Sequence, residues 1–455
     1  MAQPDGVPQE AWIRLGAVQE IVRTPFKEKK LLQNTGWLLA LQAINIVLPF
    51  VTVPYVTRVF GAERYGVFSI ALNWITYFQL VVEFGFNLSA TKKVVEVKDG
   101  EELNDLVSAV VIARLGLVAA CFVVVIILGI TSAATGDQLS CMLALFSMLV
   151  GIALQLNWLF QGLQDMKVIT IATAAARGLS VILIFLLINN PGQLMLYSFL
   201  YSITFLASGV ITHVFAWKRY GIKMGFASIK QILVEMRDGM PIFLSSAAGK
   251  IIGNVGVTVL GGCQPSAVVG SYAAILKVPQ MASLMFTPVG QALYPRVNEE
   301  RMKSRRSAAR LVAKFGIPVV VLFAAGLFGM AILRNQVVEI LYGKEYLVCA
   351  DTLIPLGIWV LLGIVNNFLG VQLLIPFGYQ SLYSLLMIVD SILSLVLNVW
   401  LGHAWGAMGV ASAIAVSEAV LTIALFLALL SVVRQSSAVS YSSHAHKAQH
   451  MRKDR

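Results

Sequence analysis

Twelve apolar runs follow one another along this chain, and each is long enough to cross a bilayer. About 20 helical residues, rising 1.5 Å each, span the ~30 Å hydrocarbon core of a membrane. The runs cover approximately residues 35–59, 66–87, 106–131, 139–159, 168–188, 194–216, 239–260, 266–293, 311–332, 350–375, 381–402 and 407–432. This series predicts an all-α polytopic membrane protein with about 12 transmembrane helices.

The composition indicates that lipid is the solvent for most of the surface. Of the 455 residues, 58% are hydrophobic and only 13% are charged, whereas roughly a quarter of a soluble protein is charged. The net charge of +11 suggests nucleic-acid binding at first sight. We reject that interpretation, because the basic residues lie in the short segments between apolar runs. Membrane lipids are therefore expected partners, and nucleic acid is not.

The distribution of Lys and Arg predicts the orientation. If the N-terminus is inside, the inside segments hold 25 Lys and Arg residues and the outside segments hold 4. Segments that stay in the cytoplasm are enriched in these residues. We therefore expect both termini in the cytoplasm and an even number of spans.

A basic loop at residues 217–238 divides the chain into two sets of six spans. We expect two six-helix bundles around a central cavity. The predicted segments are a cytoplasmic N-terminal segment (1–33), a first bundle (34–216), a linker (217–238), a second bundle (239–433) and a disordered cytoplasmic tail (434–455). Residues 11–22 are expected to form an interfacial amphipathic helix. The sequence GVFSIAL at 66–72 resembles GSYAAIL at 270–276, which suggests parallel repeats.

Several ionisable residues lie inside the apolar runs, where each costs about 2.5–3.5 kcal/mol at mid-membrane. They are Arg114, Arg177, Lys250, Lys277, Asp390 and Glu418, with Glu83 near the inner end of the second run. Pairing of the cations with Asp390 or Glu418 is one explanation. Since four cations outnumber two anions, some cation is expected to face water or an anionic ligand. Arg58, near an outer end, can also snorkel to the headgroups, and Asn73 and Asn254 add hydrogen-bonding groups.

No catalytic arrangement is evident in the sequence. There is no phosphate-binding Walker A loop, and the outside loops are short. The four cysteines lack the spacing of metal ligands and are interpreted as buried hydrophobic residues. We expect a protein that is not an enzyme and that needs no metal or cofactor.

Several segments resemble the polysaccharide transporter family, the O-antigen-unit flippases of the multidrug/oligosaccharidyl-lipid/polysaccharide exporter superfamily. They are LPF at 48–50, PYVTRVFG at 54–61, YGVF at 65–68, EFGFNLSAT at 83–91 and NWLFQGLQDMK at 157–167. The second half matches this family by layout more than by motif.

The resemblance implies a multi-pass flippase of the bacterial inner membrane. Such a protein moves undecaprenyl-diphosphate-linked oligosaccharide units from the cytoplasmic to the periplasmic leaflet by alternating access. A polysaccharide polymerase and a chain-length regulator are possible further partners. The expected substrate-binding residues are Lys250, Lys277, Arg58, Arg114, Arg177, Asn73 and Asn254. The candidates for coupling to an ion gradient are Glu83, Asp390 and Glu418.

Other interpretations of the sequence stay open. A drug or cation antiporter of the same superfamily would favour an acidic cavity, which the excess of mid-span cations disfavours. A flippase of the peptidoglycan precursor fits the motifs less well. A non-transporting scaffold of a polysaccharide assembly complex would not need charged residues in the membrane.

Overall fold

The computed structural model describes the backbone of residues 9–97, 100–131 and 136–453, and the side chains within residues 33–432 except at 98–99, 130–135, 245 and 248–252. The described residues form thirteen α-helices. In chain order these are α1 (Gln9–Glu83), α2 (Phe86–Glu96), α3 (Gly100–Thr131), α4 (Gly136–Leu154), α5 (Asn157–Gly162), α6 (Met166–Leu187), α7 (Leu194–Tyr220), α8 (Ile229–Cys263), α9 (Ser266–Lys303), α10 (Arg305–Ile332), α11 (Arg334–Leu341), α12 (Leu353–Asn366) and α13 (Gln380–Lys453). Short 3₁₀ helices occupy Pro191–Gln193 and Lys344–Thr352, and a π-helix occupies Asn367–Leu374.

Glycines interrupt the two longest helices. In α1 the backbone breaks at Gly61 (φ 69°, ψ 174°), and in α13 it breaks at Gly406 (φ 57°, ψ −134°). Residues with a Cβ rarely adopt such dihedrals, whereas glycine does so at little cost. Each long helix is therefore two helical arms joined at a glycine, and the turn predicted at Gly61 is present. Across the described residues, nine helical segments are long and apolar enough to span a membrane.

Two lobes make up the structure. We define the first lobe as α1–α7 and the second lobe as α8–α13. Within the first lobe α4 packs on α7, and within the second lobe α12 packs on α13. The lobes meet where α1 packs against α9 and α8. We call the two ends of this interface the Gly61 end and the Gly85 end, after the glycine at the α1 break and the glycine that precedes α2.

The outer surface is apolar, as lipid contact requires. Leu322, Ile423 and Ile182 expose 71%, 61% and 57% of their surface. Large patches of this kind would aggregate in water, so they are suited to acyl chains. Buried side chains such as Trp158 in the first lobe and Phe368 in the second form a core within each lobe, and a larger core of buried residues extends across both lobes.

Some boundaries differ from those predicted from the sequence. The second arm of α1 ends at Glu83 rather than near residue 87, because Phe84 (φ 41°) and Gly85 (φ 77°) leave the helical region. The segment at 11–22 is continuous with α1 rather than separate. Helix α13 extends to Lys453 through the segment predicted to be disordered, where no glycine or proline follows Gly409 to stop it.

Candidate functional site

At the Gly61 end, glycines let the lobes approach backbone to backbone. A Cβ at Gly66 would overlap the carbonyl group of Ser266, and a Cβ at Gly270 would overlap the carbonyl oxygen of Ala62. Gly66 and Gly270 are equivalent positions of the two similar heptapeptides in the sequence. The backbone N–H of Ala62 also donates to Glu345 Oε2 at 3.2 Å, and the Tyr346 hydroxyl donates to the Thr57 carbonyl at 3.0 Å. This end is closed.

At the Gly85 end, a second glycine pair joins the lobes. A Cβ at Gly85 would lie 2.5 Å from the Gly239 carbonyl oxygen, which is too close for any residue but glycine. Next to this contact, the rings of Phe84 and Phe243 stack with centroids 4.7 Å apart. The Lys93 ammonium lies 2.7 Å from Glu235 Oε1 and 2.7 Å from Asp238 Oδ2. The lobes are therefore in contact at both ends.

We expect Lys93→Ala to loosen the Gly85 end. Glu235 is buried (8% exposed), and a buried carboxylate left without its cation costs about 1–3 kcal/mol or more. Backbone amides of residues 229–244 should exchange with deuterium faster in this variant. The matched control is Lys92→Ala, because Lys92 is 79% exposed and lies 3.9 Å from the exposed Glu96. Equal exchange rates in the two variants would contradict a stabilising role for the salt bridges of Lys93 with Glu235 and Asp238.

Between the two closed ends lies a central cavity of about 350 Å³, formed by both lobes. The first lobe contributes both arms of α1 together with α6 and α7, and the second lobe contributes α9. Its polar lining consists of Asn45, Thr52, Tyr65, Arg177, Ser180, Tyr197, Tyr201, Thr204, Lys277 and Gln280. The other half of the lining is hydrophobic, so the cavity offers polar groups to a hydrophilic part of a ligand and apolar surface beside them.

Two of the predicted cations, Arg177 and Lys277, face this cavity from different lobes. Arg177 Nη1 donates to Asn45 Oδ1 at 2.5 Å, and Lys277 Nζ donates to Gln280 Oε1 at 3.5 Å. Among the described side chains no carboxylate lies within ion-pair distance of either. Most donors of the guanidinium and ammonium groups thus remain available to an anionic ligand.

A wall of aromatic rings closes the cavity toward the Gly61 end. The Phe68 ring lies 4.8 Å from that of Tyr197 and 5.6 Å from that of Tyr201, between ring centroids, and Tyr65 packs on Phe68 at 6.0 Å. Sequence reasoning missed this wall. The available signal was the helical spacing of Tyr65 with Phe68 and of Tyr197 with Tyr201, which places each pair on one helix face.

A smaller polar pocket of about 150 Å³ adjoins Arg177 within the first lobe. Ser208 Oγ and Asn157 Oδ1 line it, and both atoms are buried without a hydrogen-bond partner in the described structure. Arg177 and Asn45 belong to the lining of both spaces. The hydrophilic region around Arg177 therefore extends into the first lobe.

Arg114 lies away from the cavity and joins two helix breaks inside the first lobe. It is only 1% exposed. Its guanidinium donates to Asn87 Oδ1 at 2.8 Å and to the carbonyl oxygens of Gln155 at 3.1 Å and Ile152 at 3.4 Å. The Ile152 carbonyl also accepts the backbone N–H of Gln155 at 3.2 Å, so Arg114 mainly serves the Gln155 carbonyl just after the end of α4, where the regular helical bonds stop. The contacts give Arg114 a structural role, and we do not retain it as a substrate contact.

We expect Arg114→Leu to destabilise the folded protein. The change removes a donor from the part-buried Gln155 carbonyl and Asn87 amide oxygen, while the Ile152 carbonyl keeps the Gln155 N–H. Each lost hydrogen bond inside the protein costs about 1–3 kcal/mol. Thermal unfolding of the purified protein in detergent should show a clearly lowered midpoint. Arg64→Leu is the control, because Arg64 is exposed. An unchanged midpoint in Arg114→Leu would show that the contacts contribute nothing to stability.

Asn73 connects the lobes outside the central cavity. Its Nδ2 donates to Thr258 Oγ1 at 2.8 Å, and the Tyr77 hydroxyl lies 2.6 Å from the same oxygen. Thr258 Oγ1 donates in turn to the Asn254 carbonyl at 3.3 Å. Lys250 is in α8, but its side chain lies outside the described residues.

Arg58 and Glu83 also lie apart from the cavity lining. The exposed Arg58 donates through Nη2 to the carbonyl oxygen of Ile340 at the Gly61 end. Glu83 Oε1 accepts a hydrogen bond from Gln79 Nε2 at 2.8 Å near the Gly85 end. Each of these side chains is therefore close to one of the two interlobe contacts.

A second-lobe cavity of about 620 Å³ opens between α9, α12, the π-helix and α13. Glu418 lies in its lining, and its Oε1 accepts a hydrogen bond from Asn366 Nδ2 at 2.8 Å. Asp390, on the other arm of α13, is half-buried, and its Oδ1 has no hydrogen-bond partner in the described structure. Glu418 and Asp390 are thus in the second lobe and do not pair with Arg177 or Lys277.

Comparison with known proteins gives the family. The sequence profile of the polysaccharide biosynthesis protein family matches residues 31–299, which is more than half of the chain. The chain belongs to this family. The match in this polysaccharide biosynthesis protein includes Arg177, Lys277 and both glycine contacts, whereas the α12 and α13 walls of the second-lobe cavity lie beyond it.

Curated relatives span nearly the same length as this family member. A protein of Shigella dysenteriae named "Putative O-antigen transporter" is 27% identical over 86% of the chain and 98% of the relative. A protein of the same name from Escherichia coli (strain K12) is 24% identical over 86% and 94%. The "Probable low-salt glycan biosynthesis flippase Agl15" of Haloferax volcanii is 22% identical over 83% and 78%.

Solved structures share the fold of this family member. The lipid II flippase MurJ in an inward closed conformation superposes with a TM-score of 0.71, at 13% identity over 88% of this chain and 87% of that chain. An inward-facing multidrug resistance MATE transporter of the MOP superfamily gives 0.62, at 14% identity over 89% and 99%. The expected all-helical, two-lobed transporter fold is confirmed at this level.

Proposed function

We propose that this protein is a flippase for lipid-linked oligosaccharides. It moves undecaprenyl-diphosphate-linked repeat units from the cytoplasmic to the periplasmic leaflet for surface polysaccharide synthesis. The observation that carries the proposal is the central cavity, where Arg177 and Lys277 from different lobes face one space and have no carboxylate partner among the described side chains. The names of the curated relatives, which are transporters and a flippase rather than enzymes, support it.

The chemistry of the substrate matches this cavity. A diphosphate and its sugars cannot cross hydrocarbon unaided, because charged and polar groups lose their hydration there. Arginine and lysine supply charge-assisted hydrogen bonds to phosphate oxygens, and the partly exposed ring of Tyr201 is available to sugar C–H groups. The polyprenyl chain has no such need and stays in the lipid.

The two glycine contacts support a mechanism of alternating access. Separation at the Gly85 end admits the substrate from one leaflet, and separation at the Gly61 end releases it into the other. The substrate shifts this equilibrium only if its affinity differs between the states. Contact of Lys277 and Arg177 with one diphosphate would provide such a difference, because they lie on lobes that move relative to each other.

Topology and location complete the proposal. We propose twelve spans: the nine apolar segments count as eleven when the two that contain Gly61 and Gly406 are each divided there, and α8 is assigned as the twelfth. The distribution of basic residues supports an orientation in which the Gly85 end faces the cytoplasm, and the proposed location is a bacterial inner membrane. A polymerase and a chain-length regulator remain predicted partners.

We further propose that Asp390 and Glu418 couple transport to an ion gradient. Both carboxyl groups are partly removed from water within the second lobe, and Glu418 lies on a cavity. Buried carboxylates inside a membrane bundle are typical of proton and cation relays. Glu83, close to the Gly85-end contact, is a further candidate.

The test is export of surface polysaccharide in a flippase-null bacterium with a matched repeat unit. Wild-type protein should restore the polysaccharide ladder and lower the amount of accumulated lipid-linked oligosaccharide. Failure of the wild type in a matched sugar background would overturn the flippase proposal. Accumulation of cationic dyes should be unaffected by expression. Dye export would favour an antiporter, and export restored by a variant without cavity cations would favour a scaffold.

A further inference from the structure

The second-lobe cavity is larger than the central cavity, and its lining differs in kind. The aromatic residues Trp359 and Tyr294 line it together with the side-chain amides of Gln291, Asn367 and Gln372. Among the described residues that line it there is no lysine or arginine, and the carboxylate is that of Glu418. Aromatic faces together with amide groups are the chemistry that recognises sugar rings and their hydroxyls, whereas a diphosphate would require cations.

Gln372 gives this cavity an unsatisfied polar atom. The residue is 1% exposed, and its Nε2 donates to the Gly290 carbonyl at 2.8 Å. Its Oε1 is buried and has no hydrogen-bond partner in the described structure. A buried oxygen of this kind is costly unless a donor reaches it. Gln372 lies on the π-helix, an irregular form that recurs at functional sites.

Gly290 keeps the cavity open beside that amide. A Cβ at this position would lie 3.3 Å from Asn367 Oδ1 and 3.7 Å from Gln372 Nε2. Any longer side chain would therefore occupy the space in front of both amides. The glycine of α9 and the amides of the π-helix together form one wall of the cavity.

Helix α9 lines both cavities, so one ligand that follows this helix can reach both of them. Lys277 and Gln280 face the central cavity, whereas Gln291 and Tyr294 face the second-lobe cavity. Thirteen residues separate Lys277 from Gly290, which corresponds to about 20 Å along a helix. A single ligand that reaches both must be elongated, with an anionic part at one end and an uncharged polar part at the other.

We propose that the second-lobe cavity is a subsite for the glycan of the lipid-linked oligosaccharide, with Trp359 and Tyr294 stacking on sugar rings and Gln372 Oε1 accepting a sugar hydroxyl. The inference rests on the proposed function, because the diphosphate is placed at Arg177 and Lys277. It assigns recognition of the repeat unit to the second lobe and recognition of the carrier to the interface between lobes.

The test compares two probes on purified protein in nanodiscs. One probe is undecaprenyl diphosphate, and the other is the lipid-linked oligosaccharide fraction extracted from the source cells. Gln372→Met should weaken binding of the second probe about three- to tenfold, and Gly290→Leu about tenfold or more. Neither variant should change the affinity for undecaprenyl diphosphate. Arg177→Gln should weaken both probes, and Gly326→Leu, at a glycine with open space around it, should weaken neither.

Each other outcome has a defined meaning. Wild-type binding of both probes with equal affinity overturns the glycan subsite and leaves the flippase proposal standing. Wild-type affinities in Gln372→Met and Gly290→Leu also overturn it, since the cavity would then hold only water. A parallel loss of both probes in both variants overturns it as well, because the cavity would serve the fold rather than the glycan. If the wild type binds neither probe, the proposed function itself fails.

Discussion

Replacement of Lys277 and Arg177 by Gln is expected to abolish polysaccharide export, with each single variant strongly impaired. Hydrogen bonds to charged groups contribute about 1.5–3 kcal/mol, which corresponds to roughly a 10- to 100-fold loss of affinity for a diphosphate. Both side chains face the central cavity and have no carboxylate partner among the described residues. Their replacement therefore removes cationic groups that contact the ligand, and it breaks no ion pair that stabilises the fold.

The measurement is the amount of exported polysaccharide at matched membrane abundance. Lys277→Arg retains the charge and should keep most of the activity. Lys314→Gln is the control for loss of a lysine in a membrane helix, since Lys314 is exposed. Full export by the double variant would contradict a cationic substrate site at these residues.

A leucine at position 66 is expected to hold the Gly61 end open and to stop export. Its side chain would overlap the backbone at Ser266 and Gly270, neither of which can rotate away. An overlap that costs the closed state about 3 kcal/mol changes the ratio of open to closed molecules more than a hundredfold. The variant should therefore be trapped with its cavity facing one side.

A native thiol reports on this change. Cys349 is 3% exposed at the Gly61 end, and its Sγ donates to the Val268 carbonyl at 3.8 Å. A membrane-impermeant maleimide should label it in Gly66→Leu much faster than in the wild type. Cys141, buried in the first lobe beside Ser198, should stay protected if the variant is folded. Gly326→Leu is the control for size, and an active, unlabelled Gly66→Leu would contradict a gate at this contact.

Much of the fold was predictable, because a transmembrane helix can be recognised from the length and hydrophobicity of its own segment. The apolar runs, the turn at Gly61 and the similarity of residues 66–72 and 270–276 predicted a two-lobed helical membrane protein. The structure places Gly66 directly against Gly270, so the two similar heptapeptides meet at the interface between lobes. Recognition of a transmembrane helix in a sequence does not require knowledge of which helices it contacts.

The site was predictable only in part, because it depends on which helices are neighbours. The position of Arg177 and Lys277 inside apolar runs predicted a functional role for them, and both side chains face one cavity. The same reasoning included Arg114, whose hydrogen bonds go instead to the carbonyls at the end of α4. Nothing in the sequence shows that the break after Leu154 leaves those acceptors next to α3. The aromatic wall and the amides around Gln372 also come from several helices, so no local pattern marks them.

The most direct test of the account is transfer of a lipid-linked oligosaccharide across a vesicle membrane. Proteoliposomes that contain the purified protein and lipid-linked oligosaccharide with the matched repeat unit are probed from outside with a membrane-impermeant lectin. With the wild type, we predict that glycan from the inner leaflet becomes accessible at the outer surface. Vesicles with the Lys277→Gln/Arg177→Gln variant should behave like protein-free vesicles. Transfer by the double variant at the wild-type rate, or no transfer by the wild type, would contradict the account.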